Sequence, residues 1–324
     1  MTHMASGASS VDDPRATLLL VVGAEGAPEF KETFVEWAET WKSLSVAENL
    51  PLRTIGQGEP DAKEDRELLL EEIQASTHEL DTPLWLIFIG HGTYDGMQAK
   101  LNLRGPDVSA LELKDWLAPI QRPLILINAA SASGPFITAL SATNRVILTS
   151  TRSGDEINYS RFGGYLSKAV GQPSADLDKD GQTSLLEAFL HAARDVEAFY
   201  KLEGRLATEH ALIDDNHDGR GTPADWFQGV RAVKKAADGA LPDGLRAHQI
   251  HLVPSERERR MPPDIRQHRD ALEWEVAALR ERKPDLEETV YYNELEELLV
   301  QLADVYATAD ATEARQNDAA AGIE

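Results

Sequence analysis

A histidine and a serine occupy positions at which their side chains could carry out acyl transfer. His91 lies in the segment FIGHGTYDG, directly before Gly92, and Ser131 lies with Ser133 in the segment ILINAASASG. Imidazole accepts and donates protons near neutral pH, and the N–H of a glycine can come close enough to a carbonyl oxygen to stabilise an oxyanion. These residues favour a nucleophile–base site with the Gly92 N–H as oxyanion donor. The alternative is a strand-end histidine that bonds to a neighbouring loop.

An acidic loop at residues 176–187 carries the second chemical pattern. Its sequence, DLDKDGQTSLLE, matches the calcium loop of EF-hand proteins at every ligand position. The predicted oxygen ligands are Asp176, Asp178, Asp180, the carbonyl of Gln182, Ser184 and Glu187. Hard oxygen ligands at this spacing suit calcium, whereas magnesium keeps more of its water. We expect calcium here. The alternative is an acidic turn in which Ser184 and Glu187 cap the following helix.

A second acidic loop, DDNHDGRGTPAD at residues 214–225, follows the same pattern less completely. Its predicted ligands are Asp214, Asn216, Asp218, the carbonyl of Arg220 and Asp225. Pro223 and the short side chain of the last aspartate depart from the EF-hand pattern, so calcium and a metal-free turn remain equal alternatives. Just before this loop, Glu209 and His210 are adjacent and would point in different directions from a helix. That favours a capped turn over a metal pair.

Five apolar stretches must position these residues, and they alternate with stretches of helical spacing. We predict strands at residues 17–23, 50–55, 84–90, 123–128 and 145–150. Residues 28–42 and 62–77 carry apolar side chains at helical spacing. Continuous apolar strands that alternate with helices indicate a parallel sheet covered on both faces. Because sites in such sheets lie at the carboxyl ends of strands, the loops after the last three strands are the candidate site.

The two loop motifs together resemble those of the caspase-like cysteine peptidases, a group that includes caspases, metacaspases, legumains (the C13 peptidases) and gingipains. The match rests on GHG at 90–92 and on SASG at 131–134, where the family has Cys-x-Ser-Gly, and it covers roughly residues 15–170. The resemblance implies a three-layer α/β fold with a mainly parallel central sheet, a hydrolase-type site at His91, and a peptide or protein as substrate or ligand.

The same resemblance implies that the segment TSTRSGDEIN at 149–158 helps to build a specificity pocket. Its candidate lining residues are Thr151, Arg152, Asp155 and Glu156. An acidic pocket would prefer a lysine or arginine before the cleaved bond, and Arg152 could reverse that preference. For Asp155 and Glu156, a solvated turn is the favoured interpretation.

The nucleophile of that family is a cysteine, and this chain contains none. Ser131 takes its position if the alignment follows the Ser-Gly pair, and Ala130 takes it if the alignment follows the strand end. A serine hydroxyl ionises far less readily than a thiol and needs a well-oriented base, usually with an acidic third member. We therefore expect a peptidase-like protein that is catalytically impaired or inactive, a pseudoenzyme with bound calcium.

Three other functions remain open on the sequence alone. One is an active endopeptidase that uses a Ser131–His91 pair. Another is a true cysteine peptidase whose cysteine has been replaced by serine or alanine. The third is a calcium-stabilised binding or scaffold protein.

The remaining residues divide into segments of different composition. We predict a disordered tail or cloning remnant at 1–14, a caspase-like domain at 15–170, an acidic calcium-loop extension at 171–231, a connector at 232–265, a helical hairpin at 266–307 and a flexible tail at 308–324. The hairpin has one apolar seam among many charges. It could pack on the main domain, self-associate or hold a protein partner.

Charge and composition exclude several classes of function. The net charge of −23 argues against nucleic acid as a partner, because binding phosphates requires clustered lysine and arginine. No apolar run reaches the length of a membrane span, so we expect a soluble protein. The absence of cysteine excludes disulfides and thiolate metal sites. The compartment stays open, either the cytoplasm or outside the cell after removal of a signal peptide.

Overall fold

A seven-stranded sheet lies at the centre of the part of the chain that the structure describes. This structure is a computed structural model, and it describes residues 15–59, 62–78, 82–234 and 241–321. The predicted tail at 1–14 lies outside these residues. In chain order the strands are β1 (Thr17–Val22), β2 (Leu52–Ile55), β3 (Leu84–Ile89), β4 (Gly92–Tyr94), β5 (Ala99–Leu101), β6 (Val108–Ser109), β7 (Leu124–Asn128), β8 (Arg145–Thr149), β9 (Leu212–Asp214), β10 (Thr222–Pro223), β11 (Phe227–Gln228) and β12 (Arg231–Ala232).

Helices cover both faces of this sheet and form the carboxyl-terminal part of the chain. In chain order they are α1 (Pro28–Ala47), α2 (Asp65–Ala75), α3 (Ala110–Leu117), α4 (Pro135–Leu140), α5 (Phe162–Ala169), α6 (Leu185–Leu202), α7 (Leu245–His248), α8 (Glu256–Arg260), α9 (Pro263–Arg282) and α10 (Glu288–Ala321). Within the described ranges we find no helix that combines the length and the hydrophobicity of a membrane span.

The strand order β10-β9-β8-β7-β3-β1-β2 confirms the predicted fold class. The five apolar strands β1, β2, β3, β7 and β8 run parallel to one another, and β9 and β10 add an antiparallel edge. Every residue of β3 and of β7 is buried, which explains why these strands are apolar on both faces. The sheet therefore has a separate hydrophobic core on each side, and the fold is a three-layer α/β arrangement.

The helices lie on opposite faces of the sheet and pack into two separate hydrophobic cores. Trp41 of α1, Phe162 of α5 and Phe189 of α6 are buried on one face, and Leu69 of α2 and Leu113 of α3 are buried on the other. Full burial of one such large side chain stabilises the fold by about 1.5–3 kcal/mol. The alternation of strand and helix in the sequence thus produces the layers, and the carboxyl ends of β3, β7 and β8 lie side by side at one edge of the sheet.

The acidic extension contributes two strands to the central sheet. Strand β9 pairs with β8 through Leu148 and Ile213, and β10 pairs with β9. These strands were not predicted because they are only three and two residues long, too short to give an alternating pattern. The extension therefore completes the central sheet.

The carboxyl-terminal helices are longer than predicted. The predicted connector at 232–265 contains the short helices α7 and α8 and the start of α9. Helix α10 continues to Ala321, so residues 308–321, predicted as a flexible tail, are helical. Alanine and glutamate favour helix even where the apolar spacing is lost. Helices α9 and α10 form the predicted hairpin.

A buried ion cluster fixes the connector to this hairpin. Arg269 of α9 donates to both carboxylate oxygens of Glu258 at 2.6 and 3.0 Å and to Asp270 at 2.7 Å. Arg269 and Glu258 are 6% and 7% exposed. Such a bidentate pair contributes most when it is shielded from water, and loss of one partner leaves the other as an uncompensated buried charge.

Replacing Arg269 with alanine is expected to lower the free energy of unfolding by about 1.5–3 kcal/mol, because Glu258 loses its bidentate partner and keeps only the ion pair with Arg266 at 3.0 Å. Urea unfolding measures this change. Arg280→Ala is the matched control, since Arg280 is an exposed arginine on the same helix and should change stability by less than about 0.5 kcal/mol. Equal effects of the two substitutions would show that the cluster does not stabilise the fold.

Candidate functional site

His91 follows β3 and lies in an aromatic pocket at the carboxyl edge of the sheet. Its ring packs edge-on against Phe30 and Phe34 of α1, at centroid distances of 4.7 and 5.2 Å. Its Nε2 lies 3.2 Å from the carbonyl oxygen of Glu25 and can donate to it. Burial lowers the pKa of His91, and the hydrogen bond to the Glu25 carbonyl opposes this only in part. The imidazole is therefore neutral near neutral pH and can act as a base through Nδ1.

Ser131 follows the neighbouring strand β7 and is only 2% exposed. Its Oγ donates to the carbonyl oxygen of Gly92 at 3.1 Å and accepts from the N–H of Gly92 at 3.2 Å. The strand ends meet as predicted. However, among the residues that the structure describes, no hydrogen bond joins His91 to Ser131. The one hydroxyl proton is already donated, and the predicted oxyanion donor already has an acceptor.

The two loops touch through their backbones as well. A Cβ atom at Gly92 would lie 2.2 Å from the carbonyl oxygen of Ser131, so only glycine fits at this position. Ala130 is 1% exposed and packs in the core on one face of the sheet. The cavity beside His91 and Ala130 holds about 10 Å³, which is roughly the space of one water molecule. This internal cavity is therefore too small for a substrate side chain.

The loop after β8 holds the four residues predicted to line a specificity pocket, and they do not share one environment. Thr151 is buried, and its hydroxyl bonds to Ser133 Oγ and accepts from the Gly134 N–H, both at 3.1 Å. Asp155 is exposed. Arg152 and Glu156 form an ion pair with an Nε–Oε1 distance of 3.2 Å. Thr151 thus links the loops after β7 and β8, and the charge of Arg152 partly neutralises that of Glu156.

Glu156 connects this loop to the acidic extension. Its Oε1 lies 2.5 Å from Nδ1 of His210, and its Oε2 accepts from the N–H of His210 at 3.2 Å. Its backbone carbonyl accepts from the N–H of Ala132 at 2.9 Å. Glu156 therefore ties together the loop after β7, the loop after β8 and the segment before β9. The sequence gives no signal for this contact, because its partners lie far apart along the chain.

Glu209, the neighbour of His210, is buried, and its carboxylate caps the start of α5. It is 2% exposed. Its Oε2 accepts from Ser160 Oγ at 2.6 Å and from the N–H groups of Arg161 and Phe162 at 2.7 and 3.0 Å, at the start of α5. Its Oε1 accepts from the Tyr200 hydroxyl at 3.1 Å. We predicted a capped turn that leads into the second loop. Instead, the Glu209 carboxylate caps α5, which is distant from it in the sequence.

The first acidic loop brings its carboxylates together. Oxygen atoms of Asp176, Asp178 and Glu187 all lie within 4.8 Å of one another. Burial raises the pKa of Asp178, and the nearby carboxylates of Asp180 and Glu187 raise it further. Three acids crowded in this way repel one another, and a divalent cation would relieve the repulsion.

The backbone of this loop has the turn that the EF-hand pattern requires. Lys179 and Gly181 have φ angles of 65° and 93°. The Asp176 carboxylate accepts from the N–H groups of both residues, at 2.7 and 3.2 Å. Ser184 and Glu187 also form the capping box of α6. The cap and the acidic cluster therefore use the same glutamate and are compatible.

The second acidic loop does not gather its predicted acids in the same way. Asp214 ends β9 and is 1% exposed, whereas Asp225 lies exposed in a short 3-10 turn after β10. Among the described residues, a group of three acids within reach of one ion occurs only in the first loop. Two further aspartates are buried here: Asp215 at the second position of the loop, and Asp243 outside the loop. Burial raises the pKa of Asp243 to about 8, and the charge of Asp215 adds to the effect.

Comparisons with known proteins find similar structures but no similar sequence. No family model matches this chain, and no curated protein matches it. The chain is similar to the Drosophila initiator caspase Dronc, with 14% identity and a TM-score of 0.38 over 66% of this chain and 87% of Dronc. It is also similar to caspase-1 from Spodoptera frugiperda, with 12% identity and a TM-score of 0.40 over 62% of this chain and 86% of that one.

A third similar structure is Raptor from Chaetomium thermophilum. Its identity is 9% and its TM-score 0.33, over 48% of this chain and 18% of Raptor. At such low identities and TM-scores, neither this match nor those to the two caspases transfers an activity, a substrate or a partner to the chain.

Proposed function

We propose that this chain is a caspase-like peptidase-fold protein that does not hydrolyse peptides, binds a peptide or protein at the carboxyl edge of its sheet, and is stabilised by calcium in its first acidic loop. The observation that carries the proposal is the pair of hydrogen bonds between the Ser131 hydroxyl and the backbone of Gly92. A nucleophilic serine needs its proton taken by a base and an oxyanion donor that is free for the substrate. Here the Ser131 hydroxyl and the backbone of Gly92 are already hydrogen-bonded to each other.

The surroundings of Ser131 support the same conclusion. The side chain is 2% exposed, and the ring of His91 bonds to the Glu25 carbonyl. Attack on a peptide would require the Ser131–Gly92 bonds to break, the hydroxyl to reach the surface and the imidazole to turn towards it. A buried hydrogen bond contributes about 0.5–1.5 kcal/mol, so the present arrangement resists each of these changes.

The proposed ligand site lies on the surface above these strand ends. The β4–β5 turn and the loop after β8 touch each other, since the ring of Tyr94 packs against Gly154. Both loops expose large apolar side chains, Met97 at 88% and Ile157 at 64%. Exposed apolar side chains on neighbouring loops suit a peptide ligand better than a small charged one.

In the first test, an introduced cysteine reports on the exposure of its position, because the chain has no other thiol. The variant Ser131→Cys introduces the only thiol of the chain, and we expect a thiol reagent to label it at least tenfold more slowly than the thiol of Asp155→Cys, because Ser131 is buried and Asp155 is exposed. Labelling rates across pH measure this difference. Equal rates, or faster labelling at Ser131→Cys with a lowered thiol pKa, would contradict the proposal.

Turnover of a peptide library supplies the second measurement. We expect no hydrolysis by the unmodified chain above the level of His91→Ala. Any residual turnover should be unchanged in Ser131→Ala. Hydrolysis that both substitutions abolish would establish the active Ser131–His91 endopeptidase instead.

A further inference from the structure

The second acidic loop repeats the backbone of the first, although its predicted acids are not gathered. His217 and Gly219 have φ angles of 59° and 73°, at the fourth and sixth positions of this loop. Lys179 and Gly181 hold the same positions of the first loop with φ angles of 65° and 93°. The two loops therefore turn in the same way. They differ in which carboxylate bridges the beginning and the end of the loop.

In the first loop, Glu187 closes the loop from position twelve. Its Oε1 accepts from the N–H groups of Leu177 and Asp178, the second and third positions, at 2.7 and 3.3 Å. Its Oε2 accepts from the hydroxyl of Ser184, the ninth position, at 2.8 Å. The carboxylate thus bridges the beginning and the end of the loop.

In the second loop, Asp243 makes the equivalent contacts from outside the loop. Its Oδ1 accepts from the N–H groups of Asp215 and Asn216, the second and third positions, at 2.9 and 3.0 Å. Its Oδ2 accepts from the hydroxyl of Thr222, the ninth position, at 2.5 Å. Asp225, the acid at the twelfth position in sequence, is exposed. The carboxylate of Asp243 therefore stands where Glu187 stands in the first loop.

An unsatisfied oxygen points independently to a cation at this place. Asp214, at the first position, is 1% exposed. Its Oδ1 accepts from the N–H of His217 at 3.0 Å, which turns the carboxylate into the loop, and its Oδ2 is buried without a hydrogen bond from any described residue. The Ser141 hydroxyl faces the same carboxylate and is close enough to lower its pKa, although no hydrogen bond of normal geometry joins the two side chains. A buried carboxylate oxygen is costly unless it is paired or binds a metal.

We propose that the second loop binds calcium and that its closing ligand is Asp243 and not Asp225. Its candidate oxygen ligands are the side chains of Asp214, Asn216, Asp218, Thr222 and Asp243 and the carbonyl of Arg220, and the ion would draw the carboxylates of Asp214, Asp218 and Asp243 closer together than they lie in this structure. Hard oxygens in this number suit calcium. The inference goes beyond the proposed function, which involves only the first loop.

The number of calcium ions bound by the full chain tests the inference. Native mass spectrometry with added calcium should find two ions on the unmodified chain, two on Asp225→Asn and one on Asp243→Asn. Titration calorimetry should show that the affinity of one site falls at least tenfold in Asp243→Asn alone. Loss of an ion in Asp225→Asn, with retention in Asp243→Asn, would overturn the inference and restore the sequence-based ligand set.

A variant of an exposed ligand keeps the test valid if Asp243→Asn fails to fold. Asp218 is exposed and its Oδ1 accepts only a local N–H, that of Arg220 at 2.7 Å, so Asp218→Asn should fold and bind one ion. Two ions on Asp218→Asn would overturn the inference. Asp176→Asn separates the loops. If the unmodified chain binds one ion and Asp176→Asn binds none, the first loop is the site and the inference fails. If both bind one ion, the first-loop proposal fails and the second site stands.

Discussion

Removal of calcium is expected to lower the melting temperature of the chain by about 6 °C. A ligand present at a thousand times its dissociation constant stabilises the folded state by about 4 kcal/mol, and for a chain of 324 residues each kcal/mol corresponds to about 1.5 °C, because the unfolding entropy is about 2.1 cal/mol/K per residue. The physical origin is the repulsion among Asp176, Asp178 and Glu187, whose oxygens lie within 4.8 Å of one another. Thermal unfolding followed by circular dichroism, with calcium and then with a chelator, measures the shift.

Two comparisons make this result specific. Asp178→Asn should lose the part of the calcium-dependent shift that the first loop contributes, because it removes one of the three clustered carboxylates. Asp155→Asn, at an exposed aspartate in the loop after β8, should keep it. A chain that melts at the same temperature with calcium and with chelator would refute calcium binding at the first loop.

Loss of the Glu209 carboxylate is expected to be among the most damaging single changes in this protein. We expect Glu209→Ala to lower the free energy of unfolding by about 3–5 kcal/mol, because the N–H groups of Arg161 and Phe162 and the hydroxyl of Ser160 lose their acceptor, and each buried unsatisfied group costs about 1–3 kcal/mol. Chemical denaturation measures the loss.

Two other glutamate variants calibrate this prediction. Glu197→Ala removes an exposed glutamate from α6 and should change the unfolding free energy by less than about 0.5 kcal/mol. Glu209→Gln keeps one acceptor oxygen and should fall between the two alanine variants. If Glu209→Ala were as mild as Glu197→Ala, the cap on α5 would have no stabilising role.

The sequence predicted the centre of the fold well because the signal there is local. Strands such as β3 and β7 are continuous apolar runs, and the structure places them within one residue of the predicted bounds. The edge strands β9 and β10 were missed because two or three residues show no period. Helix α10 extends past the predicted end because alanine-rich sequence remains helical without an apolar seam.

The site shows the same division between local and distant signals. The first acidic loop is a continuous motif, and three of its four predicted carboxylates, those of Asp176, Asp178 and Glu187, lie close together, whereas Asp180 lies outside this group. The contact of Glu156 with His210 and the position of Asp243 depend on tertiary packing of distant segments, which no spacing rule contains. The pairing of Ser131 with Gly92 was also hidden, because the sequence places two loops together without giving the orientation of a hydroxyl.

The edge formed by β10 explains a residue that fitted the calcium pattern poorly. Strand β10 consists of Thr222 and Pro223 and ends one side of the sheet. A sheet edge offers unpaired N–H and C=O groups on which another chain can add a strand, and short strands, charges and proline prevent this. Pro223 has no N–H to offer. An edge strand of two residues, one of them a proline, therefore offers little backbone with which a strand of another chain could pair.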